Sequence, residues 1–253
     1  MTTGTLYVVA LPIGQIGDLS PRAKEILGSV ELVLAEDTRR AGMLLGSFGI
    51  KKRLLSYHDH NEAGRAEQVI KELSSGINAA VITDAGTPCI SDPGYRIIKI
   101  CHEHNIPVRP IPGPSALVAA LSVAGLPTDR FVFEGFLPPK GAKRSKRIDE
   151  ILSRPMTSVI YESTHRIEKL LSEMAQKSPE RLIFIGREMT KTYEEFLRGA
   201  AVDIAKEAQK RGELKGELVV VVEGAIKKEN KKKNKYARDN DETQNEEQGS
   251  DEE

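Results

Sequence analysis

The sequence predicts a two-domain α/β protein whose first domain contains a parallel sheet. Within residues 1–127, five apolar, β-rich runs alternate with segments of helical periodicity, as in parallel sheets that carry helices on both faces. The glycine-rich and charged turns of this part follow strand ends, where α/β proteins bind ligands. Residues 128–226 mix hairpin-like and helical connections, which indicates a smaller α/β domain with a mixed sheet.

The first domain is predicted to consist of five strand-and-helix units. Ser20-Pro21 is typical of a helix start, with a capping hydroxyl and a proline at the first helical position. This helix is predicted to end at Gly28, and the last helix of the domain ends at the breaker residues 125–127. The strands are predicted at residues 5–10, 31–35, 53–56, 79–82 and 108–111.

Residues 83–95, T-D-A-G-T-P-C-I-S-D-P-G-Y, join the fourth strand to the next helix. Two glycines, two prolines and two aspartates in thirteen residues predict a loop of fixed shape whose backbone a ligand can approach closely. Backbone N–H groups at such a strand end can point toward a bound group. We therefore expect this loop to hold a small cofactor.

The second domain begins with a strand at residues 130–134, followed by a basic stretch. Five of the residues from 140 to 147 are Lys or Arg, and because two prolines precede them we expect the stretch to project. Phosphate contact and an exposed helix start both explain this pattern. Further strands are predicted at 157–161, 182–185, 193–198 and 217–223, with helices after 163–164 and near 202–210.

The charge balance does not indicate a strongly basic nucleic-acid binder. Lys+Arg and Asp+Glu each total 37; the last 27 residues hold 7 basic and 9 acidic ones, which leaves 30 against 28 in residues 1–226. Any RNA contact must therefore come from local basic patches. Residues 227–253 have almost no apolar side chains, which predicts a disordered charged tail, with a basic segment that grips RNA as the functional alternative.

Cysteine content and hydropathy limit the remaining classes of protein. Cys89 and Cys101 are too few for a disulfide framework or a four-cysteine metal site, so we expect reduced packing thiols. No apolar run approaches the roughly 18 residues that a membrane span needs, and the amino terminus lacks the pattern of a secretion signal. We therefore expect a soluble, cytoplasmic protein without a membrane partner.

Several short sequence motifs occur in a fixed order over residues 5–225. They are P-I-G at 12–14, A-E-D-T-R at 35–39, H-D-H-N at 58–61, D-A-G-T-P-x-I-S-D-P-G at 84–94, P-G-P-S-A at 112–116, E-G-F-L-P at 134–138, Y-E-S-T-H-R at 161–166 and R-E-x-T-K at 187–191. Together these motifs resemble those of the RsmI family of bacterial 16S ribosomal RNA cytidine 2′-O-methyltransferases, within the tetrapyrrole methylase superfamily.

The resemblance implies a tetrapyrrole-methylase-like fold of two α/β domains with S-adenosyl-L-methionine in the cleft between them, and a homodimer. It also implies methylation of a cytidine ribose in the 16S rRNA of the small ribosomal subunit. Methyl transfer from a sulfonium is an in-line displacement that requires no metal. Two alternatives remain at this point: a tetrapyrrole methyltransferase, and a non-catalytic ribosome-assembly factor that binds RNA.

Carried onto this chain, the resemblance places the cofactor against residues of both domains. Asp84 is also explained as a turn or helix-capping aspartate. Backbone groups near residues 217–219 are expected to contact the adenine edge. The expected cofactor-binding residues are Leu11, Asp84, Gly86, Thr87, Pro88, Ser115, Ala116, Tyr161 and Leu218.

Deprotonation of a 2′-hydroxyl calls for a nearby base, and the sequence does not choose among several candidates. Lys191 needs a depressed pKa to act as a base, whereas as a cation it binds phosphate instead. Residues 187–191 are equally well explained as a solvated loop. The candidates are Asp37, Asp59, Glu188 and Lys191.

RNA contacts are expected from basic side chains near strand ends and from the basic stretch. Arg39 can clamp a phosphate or form an ion pair that holds its own loop. His58 either orients the target ribose or phosphate or belongs to a turn whose Asp or Asn caps the next helix; with His60 it lacks a third metal ligand nearby. The expected RNA-binding residues are Arg39, His58, Lys140, Lys143, Arg144, Lys146, Arg147 and Arg187.

Overall fold

The computed structural model describes residues 2–58, 60–212 and 214–225. The charged tail at 227–253 and the candidate base Asp59 lie outside the described residues. Within them, ten strands form two five-stranded sheets.

The first sheet is parallel throughout, as predicted. It consists of β1 (Leu6–Val9), β2 (Leu32–Ala35), β3 (Arg53–Ser56), β4 (Ala79–Val81) and β5 (Val108–Ile111), in the order β3-β2-β4-β1-β5. Because β4, β1 and β5 are neighbours, the loops that follow them meet at one edge of the sheet. The connecting helices are α1 (Pro21–Ser29), α2 (Thr38–Ser47), α3 (Glu62–Ser74) and α4 (Tyr95–Glu103), and α5 (Ala116–Ala124) follows β5.

Side-chain caps set the first two helix starts. The hydroxyl of Ser20 accepts a hydrogen bond from the N–H of Ala23 at 3.1 Å at the start of α1. The carboxylate of Asp37 accepts one from the N–H of Arg39 at 2.8 Å at the start of α2. Both caps satisfy backbone donors that lack a partner within the helix.

The second sheet is mixed, as predicted: β6 pairs with β7 in parallel, and the remaining pairs are antiparallel. The order is β6-β7-β10-β8-β9, from β6 (Phe131–Phe136), β7 (Thr157–Ser163), β8 (Leu182–Arg187), β9 (Glu195–Ala200) and β10 (Glu217–Val222). Its helices are α6 (Ala142–Ser153), α7 (Thr164–Lys177) and α8 (Ala201–Arg211).

Alternate residues of β10 belong to two different cores. Val220 packs with Leu170 of α7 and with other side chains of the helical layer, whereas Val221 packs with Ala120 and Leu121 of α5. Since successive strand residues point to opposite faces, α6, α7 and α8 cover one face of this sheet and α5 covers the other. Helix α5 therefore ties the first half of the chain to the second sheet.

Two further expectations are tested by the described residues. Cys101 is buried and Cys89 is half-buried, and both are free thiols. None of the helices in this part of the chain is long and apolar enough to cross a membrane.

Candidate active site in the cleft between the sheets

A cleft of about 470 Å³ lies where the carboxyl edge of the first sheet faces the second sheet. The first sheet contributes Ile13 and residues 83–87, 90–92 and 115–116. The second sheet contributes Phe136, residues 161–165, Met189 and residues 216–219. Ligands of α/β proteins bind at such an edge, so we take this cleft as the candidate active site.

The loop at residues 83–95 is fixed to the loops after β1 and β5. The N–H of Leu11 donates to the carbonyl of Gly86 at 2.8 Å, and the N–H of Gly86 donates back to the carbonyl of Leu11 at 3.1 Å. The hydroxyl of Thr87 donates to the carbonyl of Pro114 at 3.0 Å. Gly86 has φ +78, and a Cβ there would lie 3.3 Å from Cγ2 of Ile13. Glycine is therefore required where the backbone forms the wall of the cleft.

Two residues at the start of this loop line the cleft with polar groups. Asp84 forms an ion pair with Arg40 of α2 at 2.7 Å, and the two side chains are 32% and 69% exposed. Thr83 is buried, and its hydroxyl has no hydrogen-bond partner among the described residues.

Tyr161 of β7 connects the second sheet to the first half of the chain. Its hydroxyl oxygen accepts a hydrogen bond from the N–H of Leu117, in the first turn of α5, at 3.1 Å. Burial raises the pKa of this phenol, so it is neutral at physiological pH. The rings of Phe133 and Phe136 contact the Tyr161 ring edge to face, with centroids 4.9 and 5.8 Å away. Tyr161 is thus held by both packing and a hydrogen bond.

A charged cluster forms the rim of the cleft on the second sheet. The ammonium of Lys191 lies 3.0 Å from a carboxylate oxygen of Glu188 and 3.0 Å from one of Glu217. Burial alone would raise the pKa of Glu188, but the Glu217 N–H and the Lys191 ammonium outweigh it and lower that pKa. Burial alone would lower the pKa of Lys191, but its two carboxylate partners raise it. At neutral pH, Glu188 is a carboxylate and Lys191 is an ammonium.

The rim also joins the loop after β1. The N–H of Gln15 donates to the hydroxyl of Thr190 at 3.1 Å, and a Cβ on Gly14 would lie only 2.5 Å from Cγ of Lys191. Thr190 and Glu188 have φ of +64 and +48, a conformation that non-glycine residues rarely adopt. The loop after β1 is therefore in direct contact with the loop after β8 at this end of the cleft.

A model of the family described as "Tetrapyrrole (Corrin/Porphyrin) Methylases" matches residues 5–205.

The chain belongs to the tetrapyrrole methylase family.

Within this family, its curated relatives include proteins named "Ribosomal RNA small subunit methyltransferase I". The relative from Xylella fastidiosa (strain Temecula1 / ATCC 700964) is 46% identical over 226 residues, which cover 88% of this chain and 83% of that protein. The relative from Escherichia coli O157:H7 is 46% identical over 87% of this chain and 78% of its own length. These likenesses confirm the predicted RsmI branch.

Solved tetrapyrrole methylases share the fold. A uroporphyrin-III-C-methyltransferase from Thermus thermophilus superposes with a TM-score of 0.62 at 22% identity, covering 87% of this chain and 94% of that one. The cobalt precorrin-4 methyltransferase CbiF superposes with a TM-score of 0.61 at 14% identity, covering 86% and 94%. At these identities the likeness shows the architecture alone, and it confirms the predicted fold class.

In this methylase, the structure brings most of the expected cofactor residues to one cleft. Leu11 and Pro88 are buried outside its lining; Leu11 instead pairs its backbone with Gly86. Contact between an adenine edge and backbone groups near residues 217–219 stays a prediction; these residues line the cleft, and β10 is paired with β7 and β8 from Leu218 onward. The residues that line the cleft are Asp84, Gly86, Thr87, Ser115, Ala116, Tyr161 and Leu218.

The catalytic candidates differ in what the structure allows. Asp37 caps α2, and the N–H groups of Arg39 and Arg40 lower the pKa of its carboxyl, which makes it a weaker base. The pKa of Lys191 is raised, opposite to what a general base requires, so this arrangement favours its role as a cation. Glu188 is engaged by Lys191 and by the Glu217 N–H.

One of the expected RNA contacts is corrected by the structure. Arg144 is buried in α6 and forms ion pairs with Glu162 at 3.4 Å and Glu173 at 2.9 Å, so it does not project toward RNA. Arg187, at the end of β8, is 21% exposed and binds Glu195. Arg147 pairs with acidic neighbours but remains 46% exposed. The exposed basic candidates are Arg39, Lys140, Lys143, Lys146 and Arg147.

The turn after β3 is held by Asn61. Its side chain accepts from the N–H of His58 at 2.9 Å and donates to the carbonyl of Ser56 at 3.2 Å, but it does not cap α3. The expectation of a capping Asn is therefore wrong, and this side chain stabilises the turn itself. His58 is half-buried in it, and no group of three metal-ligating side chains occurs among residues 2–58, 60–212 and 214–225.

Sequence reasoning missed several residues of the cleft. Thr83, Phe136 and Glu162 all line it, and each lies inside or beside a family motif that the sequence already contained. Their position could have identified them, because each of these motifs lies at the carboxyl end of a strand. Arg40, which forms the ion pair with Asp84, lies one residue after the motif at residues 35–39.

Proposed function

We propose that this protein is an S-adenosylmethionine-dependent methyltransferase that modifies the 2′-hydroxyl of a cytidine in the 16S rRNA of the small ribosomal subunit. The observation that carries the proposal is the 45–46% identity, over nearly nine tenths of the chain, to relatives named as small-subunit rRNA methyltransferases. The cleft supports it, since the cleft coincides with the family motifs at residues 84–94, 112–116 and 161–166.

The cleft fits a small, partly apolar cofactor with polar ends. Its volume lies within the range of small-molecule sites, and most of its exposed surface is apolar, with polar groups that include Asp84, Ser115 and Tyr161. The backbone at Gly86 leaves room that a side chain would fill. A solved neighbour with 18% identity and a TM-score of 0.58, a uroporphyrin-III C-methyltransferase, is described as complexed with S-adenosyl homocysteine. When bound, S-adenosylmethionine supplies an electrophilic methyl group.

The residues of this chain act by positioning and by charge. Asp84 and the backbone of residues 84–87 hold the cofactor, while Tyr161 closes the opposite wall. The Lys191 ammonium remains protonated and holds the carboxylates of Glu188 and Glu217 together at the rim of the cleft. Lys140, Lys143 and Lys146 provide an exposed positive surface. Alignment of the reacting atoms by these groups accounts for much of the rate enhancement of a displacement.

Transfer of a labelled methyl group to rRNA tests the proposal. Small subunits and 16S rRNA from a strain that lacks the enzyme serve as acceptors, and mass spectrometry of digested RNA identifies the product. We expect 2′-O-methylcytidine with wild-type protein and a large loss with Asp84→Ala. A uroporphyrinogen acceptor tests the tetrapyrrole alternative. Methylated tetrapyrrole with unmodified RNA, or RNA binding without transfer, contradicts the proposal.

We also propose that the enzyme acts as a homodimer in the cytoplasm, where its rRNA substrate is made. Val118 and Val123 of α5 support a dimer, since both apolar side chains are more than half exposed. Light scattering of the purified protein is expected to give twice the mass of one chain. A monomer at micromolar concentration contradicts the dimer without bearing on the reaction.

A further inference from the structure

A β-bulge in β6 turns Phe136 toward Tyr161. The pairing of β6 with β7 shifts register between Phe133 and Gly135, and Gly135 has φ +62. Residues three apart in a regular strand point to opposite faces, but a bulge inserts one extra residue and restores the same face. Both Phe133 and Phe136 therefore contact the Tyr161 ring. Bulges beside active sites commonly re-aim a side chain in this way.

Phe136 is the more exposed of these two phenylalanines. Phe133 packs against the core beneath α5, whereas Phe136 is 57% exposed and lines the cleft. Its ring meets that of Tyr161 at 66°, so the contact is edge to face and does not stack the two rings. Since more than half of Phe136 is exposed, ring surface remains for a planar ligand.

Basic residues follow Phe136 closely in the sequence. Lys140 and the exposed lysines of α6 lie within ten residues of it along the chain. A Cβ on Gly135 would lie 3.1 Å from the hydroxyl of Ser91, which shows that the bulge touches the wall formed by residues 83–95. An aromatic platform followed by basic residues is the arrangement that binds unstacked bases.

We propose that Phe136 is the platform on which the base of the target nucleotide stacks while its ribose enters the cleft. This inference rests on the proposed function and adds a residue that positions the substrate. A nucleotide whose sugar is delivered into a cleft loses stacking with its neighbours, and an exposed ring at the entrance replaces it. Every base has a flat face that can stack on a ring. Phe136 therefore contributes to the affinity for RNA, and other residues recognise which base is present.

The test compares substitutions at Phe136 in the full chain. Phe136→Leu keeps an apolar side chain without a ring, Phe136→Trp keeps a ring, and Phe131→Leu is a control at the other end of the same strand. Phe131 is exposed but lies outside the cleft lining. KM for 16S rRNA from a strain lacking the enzyme is measured with labelled S-adenosylmethionine, and S-adenosylhomocysteine affinity is measured by calorimetry.

We expect Phe136→Leu to raise KM for the RNA by about 5- to 150-fold, the range for losing one base stack, with unchanged S-adenosylhomocysteine affinity. Phe136→Trp and Phe131→Leu are expected to retain wild-type KM. An unchanged KM in Phe136→Leu overturns the inference, and so does a parallel loss of S-adenosylhomocysteine affinity, because Phe136 then serves the cofactor side through Tyr161. If wild-type protein fails to methylate this RNA, the proposed function itself is wrong.

Discussion

The guanidinium of Arg40 and the carboxylate of Asp84 meet at 2.7 Å and join α2 to the loop after β4. Because both groups are substantially exposed, the pair itself contributes little to the free energy of unfolding. If Asp84 contacts the cofactor, Asp84→Ala weakens S-adenosylhomocysteine binding at least about tenfold, and Arg40→Ala weakens it less than about fivefold. Calorimetry distinguishes the two, and equal effects would mean that Asp84 acts only through Arg40.

Tyr161→Phe removes the hydroxyl that accepts from Leu117 and keeps the ring between Phe133 and Phe136. We expect the free energy of unfolding to fall by about 1 kcal/mol, the usual contribution of one hydrogen bond. We also expect weaker S-adenosylhomocysteine binding, since the start of α5 loses its tie to the second sheet. Urea denaturation measures the first effect. Tyr193→Phe, at a residue that is 73% exposed, is the matched control and should match wild type.

Arg144→Met tests the correction that this arginine is structural. Removal of one partner from a buried ion pair leaves the other charge without compensation, which typically costs about 3–5 kcal/mol. We expect the lower end of that range, because Arg166 still pairs with Glu162. The neighbouring Lys143→Met is exposed and should change the free energy of unfolding by less than about 0.5 kcal/mol. Similar stabilities of the two variants in urea denaturation would contradict the buried role.

Combined neutralisation of Lys140, Lys143 and Lys146 to Gln tests the RNA surface. If each contacts one phosphate, the slope of log affinity against log salt falls by up to about 0.7–0.9 per lysine. Binding of 16S rRNA is followed by filter retention at several salt concentrations, and S-adenosylhomocysteine affinity should stay at the wild-type value. The same slope in the triple variant and the wild type would exclude this surface from RNA binding.

The variants Lys191→Arg and Lys191→Met test whether Lys191 acts as a cation or as a general base. Since the pKa of Lys191 is raised, we expect Lys191→Arg to keep most methylation and Lys191→Met to lose most of it. If Lys191 were the general base, both variants would lose most methylation. Methylation rates on 16S rRNA, with S-adenosylhomocysteine affinity as a check on folding, give the answer.

The same cluster predicts a pH dependence of stability. The pKa of Glu188 is lowered, so its contribution is complete above its ordinary value of 4.5 and is lost as pH falls through the folded value. The pKa of Lys191 is raised, so its contribution is complete below 10.5 and is lost as pH rises through the folded value. The stability difference between wild type and Lys191→Met should be flat from about pH 6 to about pH 9 and shrink in acid. Urea denaturation at several pH values measures it, and a difference that grows in acid would contradict the pairing.

The sequence predicted the strands and their direction because apolar runs and turn residues are local signals. The ten predicted strands overlap β1 to β10, and the residues of the loop 83–95 that face the cleft lie in the predicted place. Local patterns carry no information on which strands become neighbours. The order β3-β2-β4-β1-β5 therefore comes from the structure alone.

Long-range side-chain contacts account for the errors. Arg144 and Lys143 are both basic residues of the same sequence stretch, so the sequence does not distinguish them. The structure does, because Arg144 is paired with Glu162 of β7 and Glu173 of α7. The two carboxylates that contact Lys191 come from separate segments, β10 and the loop after β8, so no local pattern predicts its charged partners. In the sequence, the bulge before Phe136 is marked only by one glycine within a predicted strand.

The position of β10 has a consequence for how the chain is made. This strand is the last one described, yet it lies between β7 and β8 in the middle of the second sheet, and its first residues line the cleft. A growing chain that has emerged only as far as α8 has both neighbours of β10 but not the strand that joins them. The cleft therefore cannot be complete during synthesis until β10 has left the ribosome that makes the chain.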